Sequence, residues 1–171
     1  MKSASLLFSI LIIILFTFSQ SCKVSYSFTG ATINPEIKTF SIQYFDNRAP
    51  LVQPQLSQVF TDALREKLQG QTSLNLVTGY GDVDFSGEIR NYETRPQAIT
   101  SDESAALNRL TITVRVKYTN EIEPEKSFDT NFSRFQDYSS SEDLSNVEDA
   151  LIKLIVEDLM EDIYNKAFVN W

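Results

Sequence analysis

The single cysteine of the chain, Cys22, is the residue whose chemistry the sequence defines best. It follows Ser19-Gln20-Ser21 and an apolar run from Leu6 to Phe18. A short basic start, an apolar stretch and small residues at a cut site are typical of a secretory signal. A thiol directly after such a site can be thioether-linked to diacylglycerol before the peptidase cuts on its amino side. We therefore expect residues 1–21 to be removed and Cys22 to carry a covalent lipid.

Two other interpretations of this segment stay open, namely an uncleaved anchor and a mature protein with an unpaired thiol. The apolar run has roughly 13 residues, whereas a membrane-spanning helix needs about 20. A lone cysteine cannot form an internal disulfide, and exported proteins rarely keep a reactive free thiol. Lipidation is the simplest explanation, although Ser19 stands where an aliphatic residue is usual.

Catalytic chemistry has few residues to use. The chain has no histidine, which removes the commonest general base, the Ser-His-Asp and Cys-His arrangements and nearly all zinc sites. Paired carboxylates for glycoside hydrolysis remain, and the nearest set in sequence is Glu88, Glu93, Asp102 and Glu103. Such residues beside strands and loops are most often solvated surface. We expect a non-enzymatic protein with no metal and no cofactor apart from the lipid on Cys22.

The charge balance restricts the partners. The chain carries a net charge of −8, which becomes −9 when Lys2 leaves with the signal. Nucleic-acid binding requires clustered Lys and Arg on a basic domain, so no nucleic acid is expected. Broad electrostatic attachment to an anionic membrane is disfavoured for the same reason. The membrane contact is therefore expected to run through the acyl chains.

Arg115 and Lys117 are the basic residues whose positions predict a binding surface. They lie on the polar side of the most regular alternating segment, whose apolar side is Leu110, Ile112, Val114, Val116 and Tyr118. Arg90 lies on a strand that is expected to pair with this segment, and the alternation of that strand places Arg90 on the same polar face as Arg115 and Lys117. Such a patch on an open sheet face can bind phosphate or carboxylate groups by charge-assisted hydrogen bonds. The alternative is cross-strand pairing with Asp84 or Glu88.

The elements that position these residues follow from the hydrophobic period. Segments with the period of a strand are Thr39–Phe45, Leu74–Val77, Val83–Ile89, Leu110–Tyr118 and Phe128–Phe132. Segments with the spacing of a helix are Leu56–Leu68, which Gly70 ends, and Val147–Ala167. Phe135 falls out of phase with Phe132, which predicts a bulge near Ser133.

This order, one strand, a helix, three or four strands and a second helix (β-α-β-β-β-α when the short Leu74–Val77 segment is left out), predicts an α+β domain over residues 38–171. We expect a mostly antiparallel or mixed sheet of four to five strands, with both helices on one face and the other face polar and open. Residues 22–37 are expected to form a lipidated tether. Tyr26, Phe28 and Ile33 alternate loosely in it, which is compatible with part of the tether docking as a strand.

The chain resembles the LptE family, the lipoprotein subunit of the lipopolysaccharide translocon, in its Bacteroidetes form. The resemblance covers essentially the whole mature chain, and its segments are specific only when taken together. They are Cys22 with Tyr26–Gly30, Lys38–Phe45 with Asn47–Ala49, Ala106–Val114, Phe132–Phe135 with Tyr138, Val147–Leu151, and the ending Asn170–Trp171.

The resemblance implies an outer-membrane lipoprotein whose domain plugs the lumen of an LptD-type β-barrel and assists its assembly. It implies two helices packed on one side of a sheet. It also implies contact with lipopolysaccharide through basic residues, although no local motif aligns those residues with this sequence. The candidates here are Arg90, Arg109, Arg115 and Lys117. Lys23 follows Cys22 where inner-membrane lipoproteins often have aspartate, so the expected location is the periplasmic side of the outer membrane.

Two other functions remain open at this point. A strand, an amphipathic helix and further strands also describe small periplasmic lipoproteins that activate a peptidoglycan synthase. A secreted carbohydrate hydrolase would have to use the carboxylates named above.

Overall fold

The alternation of polar and apolar residues gives long strands in the middle of the chain and helices on either side of them. The structure is a computed structural model that describes residues 33–51, 53–97 and 106–169. Its strands are β1 (Thr39–Ile42), β2 (Asp46–Asn47), β3 (Asn75–Leu76), β4 (Val83–Pro96), β5 (Leu107–Asn120) and β6 (Phe128–Ser139). Its helices are α1 (Leu56–Gln71) and α2 (Leu144–Phe168). The short strand β2 lies in the segment Asp46–Pro50, whose residue types are otherwise typical of a turn.

The strands form one mixed sheet. Its order is β3-β1-β4-β5-β6, and β2 lies beside β4 further along the same edge as β1. β5 is antiparallel to both of its neighbours, β4 and β6, while β1 is parallel to both β3 and β4. The predicted α+β class is confirmed, with six strands among the described residues in place of four to five, because the two-residue strand β2 was not predicted.

Both helices cover one face of the sheet, as predicted. The buried residues of α1 include Leu56, Phe60, Leu64 and Leu68; α2 buries a wider stripe from Leu151 to Phe168. They pack over the even-numbered residues of β5, which are all buried from Leu110 to Asn120. Each large apolar side chain removed from water in this layer contributes about 1.5–3 kcal/mol to stability.

The bulge lies in a different strand from the one predicted. The β4–β5 register shifts between Ile89 and Asn91, which makes Arg90 the extra residue. The β5–β6 ladder is continuous from Leu107 opposite Ser139 to Tyr118 opposite Phe128, so the bulge predicted near Ser133 was wrong. Phe135 keeps its place on the open face because the Arg109 guanidinium covers it, 3.6 Å from the ring centroid.

The start of β1 is attached to β4 by the carboxylate of Asp82. Its Oδ2 accepts hydrogen bonds from the backbone N–H groups of Lys38 and Thr39 and from the Thr39 hydroxyl, each at 2.9 Å. The backbone hydrogen bond from Lys38, followed by those from Thr39, lowers the pKa of Asp82 below its usual value. This carboxylate is therefore more easily kept charged in the folded chain than in the unfolded chain.

We expect Asp82→Asn to lower the free energy of unfolding at pH 7 by roughly 1–2 kcal/mol, because the charged acceptor is lost. A lowered folded-state pKa contributes stability above the unfolded pKa of about 4, and this contribution is lost as the pH falls through the folded value. The difference between wild type and variant should thus shrink below pH 4 in urea titrations. Asp46→Asn, at an exposed ion pair with Arg48, is the control; an equal effect there would contradict the assignment.

Candidate binding surface on the open sheet face

The face of β4, β5 and β6 that lies opposite the helices is polar and electrically balanced. Strand alternation places on it the odd-numbered residues of β5 and β6 and their register partners in β4. Its basic residues are Arg90, Arg95, Arg109, Arg115 and Lys117; its acidic residues are Asp84, Glu88, Glu93, Asp129 and Asp137. This face is thus neutral in a chain with a net charge of −8, so an anionic ligand meets less repulsion here than elsewhere.

Arg115 lies at the centre of the basic cluster. Its guanidinium binds Asp129 of β6 in a bidentate ion pair, with Nε to Oδ1 at 2.7 Å and Nη2 to Oδ2 at 2.6 Å. The hydrogen bonds from Arg115 lower the pKa of Asp129. The pair is about 40% exposed at both side chains, so a ligand can reach it.

Arg90 and Lys117 lie on either side of this ion pair. A shallow cavity of about 410 Å³ is lined by Arg90, Arg115 and Asp129, and a second of about 260 Å³ by Arg115, Lys117 and Asp129. Arg90 is paired with Glu88 of its own strand at 2.7 Å, whereas the exposed Lys117 has no ion pair among the residues that the structure describes. The structure therefore brings together three of the four predicted residues.

Arg109 is separate from this cluster. It forms its own bidentate pair with Asp137, at 2.7 and 2.8 Å, and its guanidinium stacks on Phe135. Six residues of strand separate it from Arg115, which is about 20 Å. Hydroxyl side chains lie between them, and Thr113 hydrogen-bonds to Ser133 at 2.9 Å.

The alternative interpretation, cross-strand pairing with Asp84 or Glu88, holds in part: Arg115 does form a cross-strand ion pair, but with Asp129, and Glu88 pairs with Arg90 of its own strand. Asp84 does not meet a cation; it is buried and accepts hydrogen bonds from Ser41 Oγ at 2.5 Å and Gln43 Nε2 at 2.8 Å. Asp129 is the residue that the sequence reasoning missed. The alternation of Phe128, Thr130 and Phe132 could have placed Asp129 on the open face beside Arg115.

Of the four carboxylates considered for hydrolysis, two lie within the residues that the structure describes. Glu88 is paired with Arg90, and Glu93 with Arg95 at 2.8 Å; Asp102 and Glu103 lie outside the described residues, as does Cys22. No group of three or more His, Cys, Asp and Glu side chains within residues 33–51, 53–97 and 106–169 could hold a metal ion. The two described carboxylates of this set, Glu88 and Glu93, are thus each engaged by an arginine of β4.

The model of the LptE family, described as lipopolysaccharide-assembly, matches residues 37–167. A minor lipoprotein from Acinetobacter baumannii is similar in structure, with a TM-score of 0.50 and 14% identity over 77% of this chain and 92% of that one. A hypothetical protein from Chlamydia trachomatis has a TM-score of 0.52 and 12% identity over 78% and 99%. These two likenesses concern the fold alone. No curated protein sequence is significantly similar to the chain.

Neither of the two described α-helices is both long enough and apolar enough to cross a bilayer.

Proposed function

We propose that this chain, which belongs to the LptE lipopolysaccharide-assembly family, is a non-enzymatic lipoprotein that plugs an LptD-type barrel and assists its assembly. The observation that carries the proposal is the family match over residues 37–167, which includes every described strand, α1 and all but the last residue of α2. Cys22 anchors it to the periplasmic side of the outer membrane through covalent lipid.

Lipopolysaccharide contact is assigned to the open sheet face. Its phosphate and carboxylate groups require charge-assisted hydrogen bonds, and Arg90, Arg115 and Lys117 offer these around one exposed ion pair. The balanced charge of this face supports the assignment, since contact between an acidic protein and an anionic glycolipid must be local. Arg109 is a weaker candidate because its guanidinium is held by both Asp137 and Phe135.

The barrel partnership is tested by purification from the producing bacterium. The tagged full-length protein, extracted in mild detergent, should bring a large outer-membrane barrel with it at equal stoichiometry. Recovery of the protein alone at matched expression would contradict the proposal. Recovery with a penicillin-binding protein, together with changed peptidoglycan cross-linking on depletion, would favour the synthase-activator alternative.

We expect Arg115→Gln with Lys117→Gln to weaken binding of purified lipopolysaccharide by about tenfold, or roughly 1.4 kcal/mol. Isothermal titration at fixed salt measures this. Stability should change by less than about 1 kcal/mol, since the only ion pair lost is exposed. Arg48→Gln with Lys153→Gln removes the same charge from other exposed sites; an equal loss in that control would show a non-specific charge effect.

Cys22→Ser should prevent attachment of the covalent lipid. One or more acyl chains at about 0.8 kcal/mol per buried methylene provide the attachment, and serine cannot form the thioether. Incorporation of radioactive palmitate should be lost, and, because the thioether forms before cleavage, the variant should accumulate with residues 1–21 still attached, which gel mobility measures. A variant that stays in the membrane and is still processed would contradict the lipid anchor.

A further inference from the structure

The carboxylate of Asp129 lies where the three cations of the basic cluster, Arg90, Arg115 and Lys117, meet. Asp129 is the register partner of Lys117 and the bidentate partner of Arg115. Together with Arg90 and Arg115 it lines the shallow cavity of about 410 Å³ on the open face. The hydrogen bonds from Arg115, and then the charges of Arg115, Lys117 and Arg90, lower its pKa. All three cations therefore act on one carboxylate.

Arg115 binds this carboxylate in the geometry in which a guanidinium binds an external carboxylate or phosphate. Nε–H and Nη2–H donate to the two oxygens of Asp129 at 2.7 and 2.6 Å. An external anion on this edge of the guanidinium would also lie beside the other two cations, as Asp129 does. Such an anion would have to occupy the position of the Asp129 oxygens, so it must compete with Asp129 for Arg115.

The charges of the cluster match a dianion once Asp129 has moved away. Arg90 is paired with Glu88 at 2.7 Å, whereas Lys117 has no ion pair in the described part of the chain. Displacement of Asp129 would thus leave two uncompensated positive charges, those of Arg115 and Lys117. A phosphate monoester carries about −1.5 to −2 at pH 7 and offers three acceptor oxygens. A carboxylate carries a single charge on two oxygens, so the phosphate is the better match.

Asp129 can leave Arg115 without movement of the backbone. Its side chain is 40% exposed and that of Arg115 is 43% exposed, so rotation about the side-chain bonds of Asp129 brings the carboxylate into solvent. Exposed ion pairs are favoured over their open forms by a factor of only roughly 1.5–5. Competition from Asp129 should therefore weaken the binding of an anion by a similar factor without preventing it.

We propose that Asp129 is an internal competitor that occupies the anion position of the basic cluster, and that a phosphate monoester group of the ligand takes its place. This inference rests on the proposed contact with lipopolysaccharide and names the group that is bound. The internal carboxylate keeps Arg115 paired in the free protein and limits its affinity for the ligand. It also assists release, because the ion pair forms again as the phosphate leaves.

The pair of Arg109 with Asp137 offers a matched control on the same face. It is also bidentate, at 2.7 and 2.8 Å, and its side chains are 32% and 30% exposed. The register partner of Arg109 in β4 is Arg95, which is itself paired with Glu93. Asp137→Asn thus removes the same charge from the same face at a distance of about 20 Å from the basic cluster.

Titration of the detergent-solubilised full-length protein, followed by nuclear magnetic resonance, tests the displacement. Glucose 1-phosphate is added at constant ionic strength and about pH 7.5, where a phosphate monoester with a second pKa near 6 is a dianion. The Arg115 Nε–Hε signal and the Asp129 carboxyl signal should shift together with one dissociation constant. An Asp129 signal that stays constant while Arg115 responds, or no response from Arg115, would overturn the proposal.

Carboxylate variants measure the strength of the competition. Asp129→Asn should tighten the binding of glucose 1-phosphate by about fivefold, because Arg115 is then available without displacement. Asp129→Glu, which keeps the competing charge, and Asp137→Asn, which removes a distant one, should each stay within about twofold of the wild-type affinity. Equal tightening by Asp129→Asn and Asp137→Asn would reveal a general charge effect and overturn the proposal.

Two comparisons identify the ligand group. Glucuronate, a sugar carboxylate, should bind Arg115 at least about fivefold more weakly than glucose 1-phosphate; equal affinities would overturn the assignment to phosphate. Purified lipopolysaccharide should compete for Arg115 at a lower phosphate concentration than inorganic phosphate does, and the reverse order would exclude the glycolipid as its source.

The result can be separated from that of the barrel purification. A co-purified barrel together with an unchanged affinity of Asp129→Asn for glucose 1-phosphate would contradict the internal competitor alone. Tighter binding by Asp129→Asn without a co-purified barrel would support the internal competitor and contradict the proposed barrel partnership alone.

Discussion

Gly87→Ala is expected to destabilise the domain by about 3 kcal/mol or more, at the upper end of overpacking effects. A Cβ at Gly87 would lie 2.0 Å from the carbonyl oxygen of Arg115 and 2.7 Å from Cε1 of Phe45. The first contact is with the backbone of the neighbouring strand, so relief requires β4 and β5 to separate at the centre of the sheet. Thermal unfolding should show a midpoint roughly 6–12 °C lower.

Two controls isolate the cause of this effect. Gly70→Ala, at a position of α1 where a Cβ meets nothing within 4 Å, should leave stability unchanged or raise it by up to about 1 kcal/mol. Adding Phe45→Leu to Gly87→Ala relieves the ring contact but leaves the carbonyl contact. The double variant should therefore remain as unstable as the single one; recovery would show that Phe45 alone sets the constraint.

The alternation of side chains could predict the fold because each strand buries one face. The apolar parity of Leu110 to Tyr118 places that side against the helices, and the structure agrees at every position. What alternation cannot predict is contact between strands. The need for glycine at position 87 and the position of the bulge at Arg90 both depend on how β4 meets β5. Phe135 departs from the alternation of apolar residues because Arg109, a residue of β5, covers its ring on the open face.

The candidate site, like the fold, could be predicted from the sequence only in part. That Arg115 and Lys117 share the open face could be predicted, since both lie on one strand. Their surroundings depend on register, and a single sequence does not specify register. Asp129 is the register partner of Lys117, yet its carboxylate binds Arg115, a diagonal neighbour. Arg109 could not be separated from the cluster without knowing that Asp137 and Phe135 lie beside it.

Phe85→Ala is expected to have the largest effect among the aromatic residues of the core, a loss of about 3–5 kcal/mol in the free energy of unfolding. Phe85 is fully buried. Its ring centroid lies 4.9 Å from that of Tyr118 on β5 and 6.1 Å from that of Phe168 on α2. Truncation therefore leaves a cavity where β4, β5 and the end of α2 meet, and these elements cannot collapse independently. Urea unfolding followed by tyrosine fluorescence measures the loss.

Phe135→Ala is the matched control, since it makes the same chemical change at a ring that is 47% exposed. Its loss should stay near 0.5–1 kcal/mol, the contribution of a cation–π contact with Arg109 at an exposed site. The difference between the two losses of unfolding free energy thus measures how much more tightly side chains pack on the helix face of the sheet than on the open face. Equal losses would mean that the open face is as well packed as the helix face, which would make that face unavailable to any ligand. A large difference would mean that side chains on the open face, including those of the basic cluster, can be substituted without unfolding the domain. A loss of binding in variants of that cluster could then be attributed to the substituted side chains.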